Sequence, residues 1–223
     1  EGHPMNITKL QTDLAARGLY TDCIDGAWGR NTEAAYRELL ERADACAPAP
    51  SADGMAWGAK VSAEFKAKVR SICDRLGIPD PSALMACMAW ESAETFSPDI
   101  RNMAGSGATG LIQFMPSTAR GLGTTTDKLA AMSAIDQLDY VEKYFQPYRG
   151  KLKNLGDIYM AILWPRGIGQ ADDWTLWDRK DRPTTYRQNA GLDLNGDGKI
   201  IRAEAVAKVR QKLNKGMQAP YYG

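Results

Sequence analysis

Apolar residues recur at helical spacing through most of the chain. Val61, Phe65, Val69, Ile72 and Leu76 form one stripe and predict a helix that Gly77 stops. Asp80 before Pro81 predicts the start of the next, with a side-chain cap and Pro at the first helical position. Ser133 with Asp136 reads as a capping box opening a stretch that runs to Phe145. Leu155 to Trp164 reads as a further helix halted by Pro165, and Ala203 to Leu213 as the last. Nearer the start, Leu10 and Leu14 share one helix face, and Tyr36, Leu39 and Leu40 mark another, capped by Asn31 or Thr32. Between them, Asp25-Gly26-Ala27-Trp28-Gly29 is a tight turn. No stretch alternates as a strand would, so the expected fold class is all-α.

Composition shifts once. Residues 44–60 are rich in Ala, Pro, Gly and Ser, which is linker chemistry. They separate a small domain, 5–43, from a large one, 61–223. A core as small as the first would lean on its leucines, Ile24 and Trp28. No apolar run approaches the roughly 18 residues needed to cross a bilayer. A net charge of +1 leaves no electrostatic footprint for nucleic acid. The single histidine, His3, excludes a Ser-His-Asp triad and a two-histidine zinc site. Cys23, Cys46, Cys73 and Cys87 form no CxxC pair and read as free thiols. The first residues carry no secretory signal, and Met5 reads as the natural start. The chain is expected to act as a monomer without stable membrane insertion. The basic, amphipathic last helix is expected to be a solvated face.

One carboxylate falls where an apolar residue belongs. In the helix from Pro81, Glu91 lies about 20° around the axis from Leu84, on the side of Leu84 and Met88. A buried carboxyl there would hold its proton above the usual range, as a general acid does. Spacing alone leaves open that Glu91 turns to solvent or pairs with an arginine. A loop with Gly105, Gly107 and Gly110 follows, then Gln113, whose amide can donate and accept. That chemistry suits a sugar.

Glu91-Ser92, Phe96-Ser97-Pro98 and Gly110-Leu111-Ile112-Gln113 together resemble the soluble lytic transglycosylase and goose-type lysozyme superfamily, over roughly residues 61–190. The resemblance implies Glu91 as catalytic acid/base. It implies Gln113, Gly110 and Asn102 at the substrate, with Tyr144 and Trp164 as further cleft candidates and Tyr148 and Trp174 as weaker ones. Ile112 replaces the usual Met, and Trp164-Pro165 stand where the family has Tyr-Asn. Residues 9–39 are similar to the short three-helix peptidoglycan-binding module. This implies wall contacts around Tyr20, Asp25, Gly26, Trp28, Gly29 and Thr32. The two together resemble modular endolysins of phages that infect Gram-negative hosts. Such proteins wait in the host cytoplasm and act on peptidoglycan glycan strands in the periplasm.

Glycoside hydrolysis ordinarily uses a second carboxylate. Between Asp99 and Asp127 there is none, and Glu94 and Asp99 are expected to be solvated. A single-acid cleavage leaving 1,6-anhydro ends is therefore favoured over a muramidase. A non-catalytic wall-binding virion protein and a calcium-regulated module remain as alternatives. Residues 193–204 fit a calcium loop of the EF-hand type: Asp193, Asn195 and Asp197, a turn-making glycine, the Lys199 carbonyl, Ile201 through water, and Glu204 as bidentate ligand. Ile200 is its apolar anchor. A lone structural calcium site that pins the last helix is expected, with no cofactor for catalysis.

Overall fold

The computed structural model describes residues 6–46, 54–103 and 105–223. His3, Met5, the middle of the expected linker and the side chains of Leu40 and Cys46 lie outside the described residues. Ten α-helices and two short strands occur among them: α1 Ile7–Ala16, α2 Arg30–Cys46, α3 Ala63–Leu76, α4 Pro81–Glu91, α5 Pro116–Gly121, α6 Thr126–Ala130, α7 Ala134–Phe145 and α8 Leu155–Leu163, then β1 Thr175–Asp178, α9 Pro183–Gln188, β2 Lys199–Ile201 and α10 Arg202–Gly216. The protein is mainly helical, as the periodicity predicts. No helix among the described residues is long and apolar enough to cross a membrane.

The caps follow the local chemistry. Ser62 accepts from the Phe65 N–H before α3, Asp80 from Ser82 before α4, Ser133 from Asp136 before α7 and Asn154 from Asp157 before α8. Gly77 ends α3 with a φ of 70°. The expected cap of α2 differs. That helix starts at Arg30, so Asn31 and Thr32 lie inside its first turn, with the Glu33 N–H bonded to the Gly29 carbonyl.

The chain divides into two compact units, one drawn from Glu1–Ala49 and Thr175–Ala205, the other from Pro50–Trp174 and Val206–Gly223. In the first, α1 and α2 pack around Leu14, Tyr20 and Ala35, with Leu10, Leu19, Tyr36 and Leu39 against them. The described part of this module has two helices where the resemblance implies three. Ile24, expected in its core, is 46% exposed, and Trp28 is half-buried. The work expected of Ile24 falls to a polar residue. Gln11 is fully buried, and its Nε2 lies within 3.1 Å of the Tyr20 hydroxyl, Asp25 Oδ1, the Ala27 carbonyl and Thr32 Oγ1. Its Oε1 accepts from the Gly26 N–H at 2.8 Å. One amide thus closes the Asp-Gly turn. Also in this unit, β1 and β2 pair antiparallel, with Thr175 opposite Ile201 and Asp178 opposite Lys199. Strands this short show no alternation, which is why the pattern misses them.

The second unit is built on α4, which is buried from Ser82 through Ala89 with α3 and α8 packed against it. Phe65, Ile72 and Leu76 of α3, Leu138, Val141 and Phe145 of α7 and Ile158 of α8 complete the core. Cys73 and Cys87 are buried within this unit as free thiols. Residues 55–58, linker by composition, are buried too. The Trp57 ring packs at 4.7 Å from Tyr221, and its Nε1–H donates to the Lys212 carbonyl at 2.9 Å. The Met55 N–H donates to Gly223 and the Ala59 N–H to Tyr221. Small residues here permit close approach of the chain's last segment; a Cβ on Gly58 would lie 1.8 Å from the Gly223 carbonyl oxygen.

Candidate active site

Glu91 is the last residue of α4 and is part-buried. Burial pushes its carboxyl up to about 8. Among the described residues no side chain hydrogen-bonds or ion-pairs with it, so of the two orientations that spacing leaves open, neither full exposure nor arginine pairing holds. Tyr144, Tyr159 and Cys87 are close enough to feel its charge; burial raises all three most, followed by this charge for Tyr159 and Cys87, and by Tyr148 and then this charge for Tyr144. Tyr159 also has a hydrogen bond with Trp90.

The glycine-rich loop is locked by amides. Gly110 has a φ of 83°, and a Cβ there would stand 2.2 Å from Gln137 Oε1. Gln137, on α7 and fully buried, accepts from the Leu111 N–H at 2.7 Å and donates to the Pro98 and Leu129 carbonyls at 3.0 and 2.9 Å. It therefore ties two loops and α6 to one point. Gln113 has a φ of 52°, and its Nε2 donates to the Ile100 and Gly110 carbonyls at 3.2 and 3.1 Å. This narrows the expectation for Gln113. Both its donors serve the loop, and Oε1 is the atom left to accept from a ligand.

The remaining candidates are placed as follows. Asn102 is exposed, with its backbone N–H on the Ala108 carbonyl. Tyr144 is half-buried beside Glu91; its hydroxyl donates to the Ala161 carbonyl at 2.8 Å, and its ring meets Phe114 edge-on. Trp164 is half-exposed just past α8, and its N–H bonds to Met160. Tyr148 and Trp174 are half-buried. Glu94, expected to be solvated, is part-exposed and bonded to Lys212 and Lys215. Asp99 is exposed and accepts from the Ser97 hydroxyl. Sequence reasoning missed Gln137 and Tyr159. A signal existed for the first: Gln137 precedes Val141 and Tyr144 at helical spacing on the inner face of α7.

In the first unit, Tyr20 and Thr32 are 6% and 1% exposed and turn their hydroxyls toward Gln11, so they hold the turn from inside. Asp25, Gly29 and half-buried Trp28 reach the surface, with Gly26 partly covered. The Trp28 ring meets Tyr36 edge-on at 5.5 Å. In the 193–204 loop, Asp193 accepts from the Gly196 and Gly198 N–H groups at 2.7 and 3.0 Å, and Asp197 from Lys199 at 2.7 Å. Glu204 is 3% exposed and accepts from Leu194, Asn195 and Ile201. Burial pushes its carboxyl up to about 7. Ile200 is fully buried. Among the described residues no three His, Cys, Asp or Glu side chains gather as a metal-holding group. The loop supplies oxygen donors, and its carboxylates are turned onto backbone N–H groups.

Residues 77–161 match the Transglycosylase SLT domain family. This span contains Glu91, the glycine-rich loop, Gln113 and Gln137. The protein is therefore an enzyme of glycosidic-bond cleavage, carrying a peptidoglycan lytic transglycosylase domain. No curated protein and no solved structure matches the chain.

Proposed function

We propose that the chain cleaves the β-1,4 bond between N-acetylmuramic acid and N-acetylglucosamine without water, with Glu91 as both acid and base. The observation that carries this is a lone, desolvated carboxyl. Glu91 holds its proton up to about pH 8, while the two nearest acids in sequence are engaged elsewhere, Glu94 by lysines and Asp99 by Ser97. Protonated Glu91 gives its proton to the glycosidic oxygen as the bond to C1 breaks, and N-acetylglucosamine leaves with a free 4-hydroxyl. The carboxylate then takes the proton of the muramyl 6-hydroxyl as O6 bonds to C1. The 1,6-anhydro ring closes, Glu91 is reprotonated and no water is consumed. Gln113 Oε1 and the backbone around Gly110 would receive the sugar's hydroxyl and acetamido groups, with Asn102, Tyr144 and Trp164 at the edges of the cleft. Glu91→Gln in the full chain tests the role. Release of soluble muropeptides should fall to background with the circular dichroism unchanged, and wild-type release would remove Glu91 from the mechanism.

The small module at residues 5–43 is read as the wall-binding part, linked through 44–60 to the catalytic part at 61–223. Asp25, Gly29 and Trp28 are its candidate contacts. The order of the two parts supports a phage endolysin that waits in the host cytoplasm and reaches the wall when the inner membrane opens. A calcium ion is read into the 193–204 loop, held by Asp193, Asn195, Asp197, the Lys199 carbonyl and Glu204; it would supply structural closure and no catalytic chemistry. Calcium should raise the melting temperature, by about 2.7 kcal/mol of stability at a hundredfold excess over Kd. Asp193→Ala should abolish that rise, and a wild-type chain indifferent to calcium and chelator would exclude the site.

A further inference from the structure

The turn that follows Glu91 is held from outside the matched segment. Ala93, Glu94 and Phe96 have φ angles of 50°, 66° and 52°. Such left-handed values are strained for a non-glycine residue and persist only where the surroundings over-determine them. Some of that determination is local. The Glu94 N–H donates to the Ala89 carbonyl at 2.7 Å, and Ser92 Oγ donates to Met88 and accepts from the Phe96 N–H. Phe96 is buried against the rings of Trp57 and Phe65.

The rest comes from α10. Lys212 Nζ donates to Glu94 Oε1, and Lys215 Nζ to Oε2 at 2.6 Å. Burial pushes the Glu94 carboxyl up, but the two lysines outweigh it and hold the group below its usual range, so it stays charged. The Lys215 side chain and the Lys212 backbone are themselves fixed. The ammonium of Lys215 lies 5.4 Å from the Trp57 ring centre and 4.9 Å from that of Tyr221, and the Lys212 carbonyl accepts from Trp57. A carboxylate held at both oxygens by two cations, one of them seated over aromatic rings, resists rotation in a way that a single exposed pair does not.

We infer that Glu94, Lys212 and Lys215 are positioning residues for the reaction, bracing the turn after α4 and so fixing where the Glu91 carboxyl points. The inference rests on the reading of Glu91 as the acid. The body of α4 is enclosed by the core from Ser82 through Ala89 and needs no brace; Trp90 and Glu91 at its end are part-exposed, and there the direction of the helix end is set by the turn that follows. Loosening the brace therefore moves the acid while leaving the fold in place.

The test is steady-state cleavage of soluble, uncross-linked peptidoglycan strands by the full chain. Glu94→Gln, and independently Lys212→Met with Lys215→Met, should lower kcat about ten- to a hundredfold with KM within about twofold. Lys212→Arg with Lys215→Arg should keep at least a third of wild-type kcat. Asp139→Asn, which breaks the surface pair with Lys68 at 2.7 Å, should leave kcat unchanged. Wild-type kcat in Glu94→Gln and in the double Met variant would overturn the inference. So would a kcat loss that Asp139→Asn reproduces, or failure of both brace variants to fold, which would make the brace structural. Glu91→Gln is run beside them. Full activity there would reject the acid itself, whatever the brace variants do.

Discussion

Replacing Glu91 by Gln should stabilise the protein, by an amount that depends on pH. Below the ordinary carboxyl value of 4.5, folded and unfolded chains both hold the proton, and the substitution changes little. Between 4.5 and about 8 the unfolded chain releases a proton that the folded chain keeps, so wild-type stability falls as pH rises. Gln has no proton to lose. At about 1.4 kcal/mol per pH unit, the full difference reaches about 3 kcal/mol near pH 7 and about 5 kcal/mol above pH 8. Glu91 is only part-buried, and solvent screening brings the expectation near pH 7 to about 2 kcal/mol. At about 2–4 °C per kcal/mol, the variant should melt about 4–8 °C higher near pH 7. Thermal melts of both proteins by circular dichroism, from about pH 4 to about pH 8, measure this directly, because every other titrating group is common to the pair. A melting difference that stays constant with pH, or a wild type that is the more stable near pH 8, would refute the buried, proton-holding carboxyl.

Three further outcomes follow. Muropeptide release should be flat below about pH 7 and fall about tenfold per pH unit well above pH 8, as Glu91 loses its proton; a rate that keeps rising to about pH 10 would count against it. Gly110→Ala should lose about 3 kcal/mol and most activity, because the new methyl meets Gln137 and the backbone is left-handed; chemical denaturation and release assays check both, and near-native values would mean that Gln137 does not set the loop. Gln11→Leu should unfold the small module by stranding the groups it joins, abolishing co-sedimentation with insoluble peptidoglycan while leaving cleavage of soluble strands intact; retained co-sedimentation would detach wall binding from that turn.

Much of the fold is legible locally. Asp80, Ser133 and Gly77 mark helix ends because caps act over three or four residues, a range that sequence reports well. Glu91 is legible for a related reason, since one acid on an apolar face conflicts with its neighbours. What escapes reading is set by distance or by brevity. The bond between Lys212 and Glu94 spans 118 residues, and nothing local to either announces the other. Gln11 reads as an ordinary polar helix position until the turn that it closes is seen folded around it. Trp57 sits in a stretch whose composition says linker, and only the return of the last residues gives it something to pack against. Strands of four and three residues carry too few positions to show a period.

The central claim is that one buried carboxyl cleaves the glycan without water. Mass spectrometry of muropeptides released from purified peptidoglycan tests it most directly. The account predicts products lighter by one water than the hydrated sugars, carrying 1,6-anhydro ends, with none from Glu91→Gln. Reducing N-acetylmuramic acid ends from the wild-type protein would contradict it, and would mean that a water-positioning group stands near Glu91.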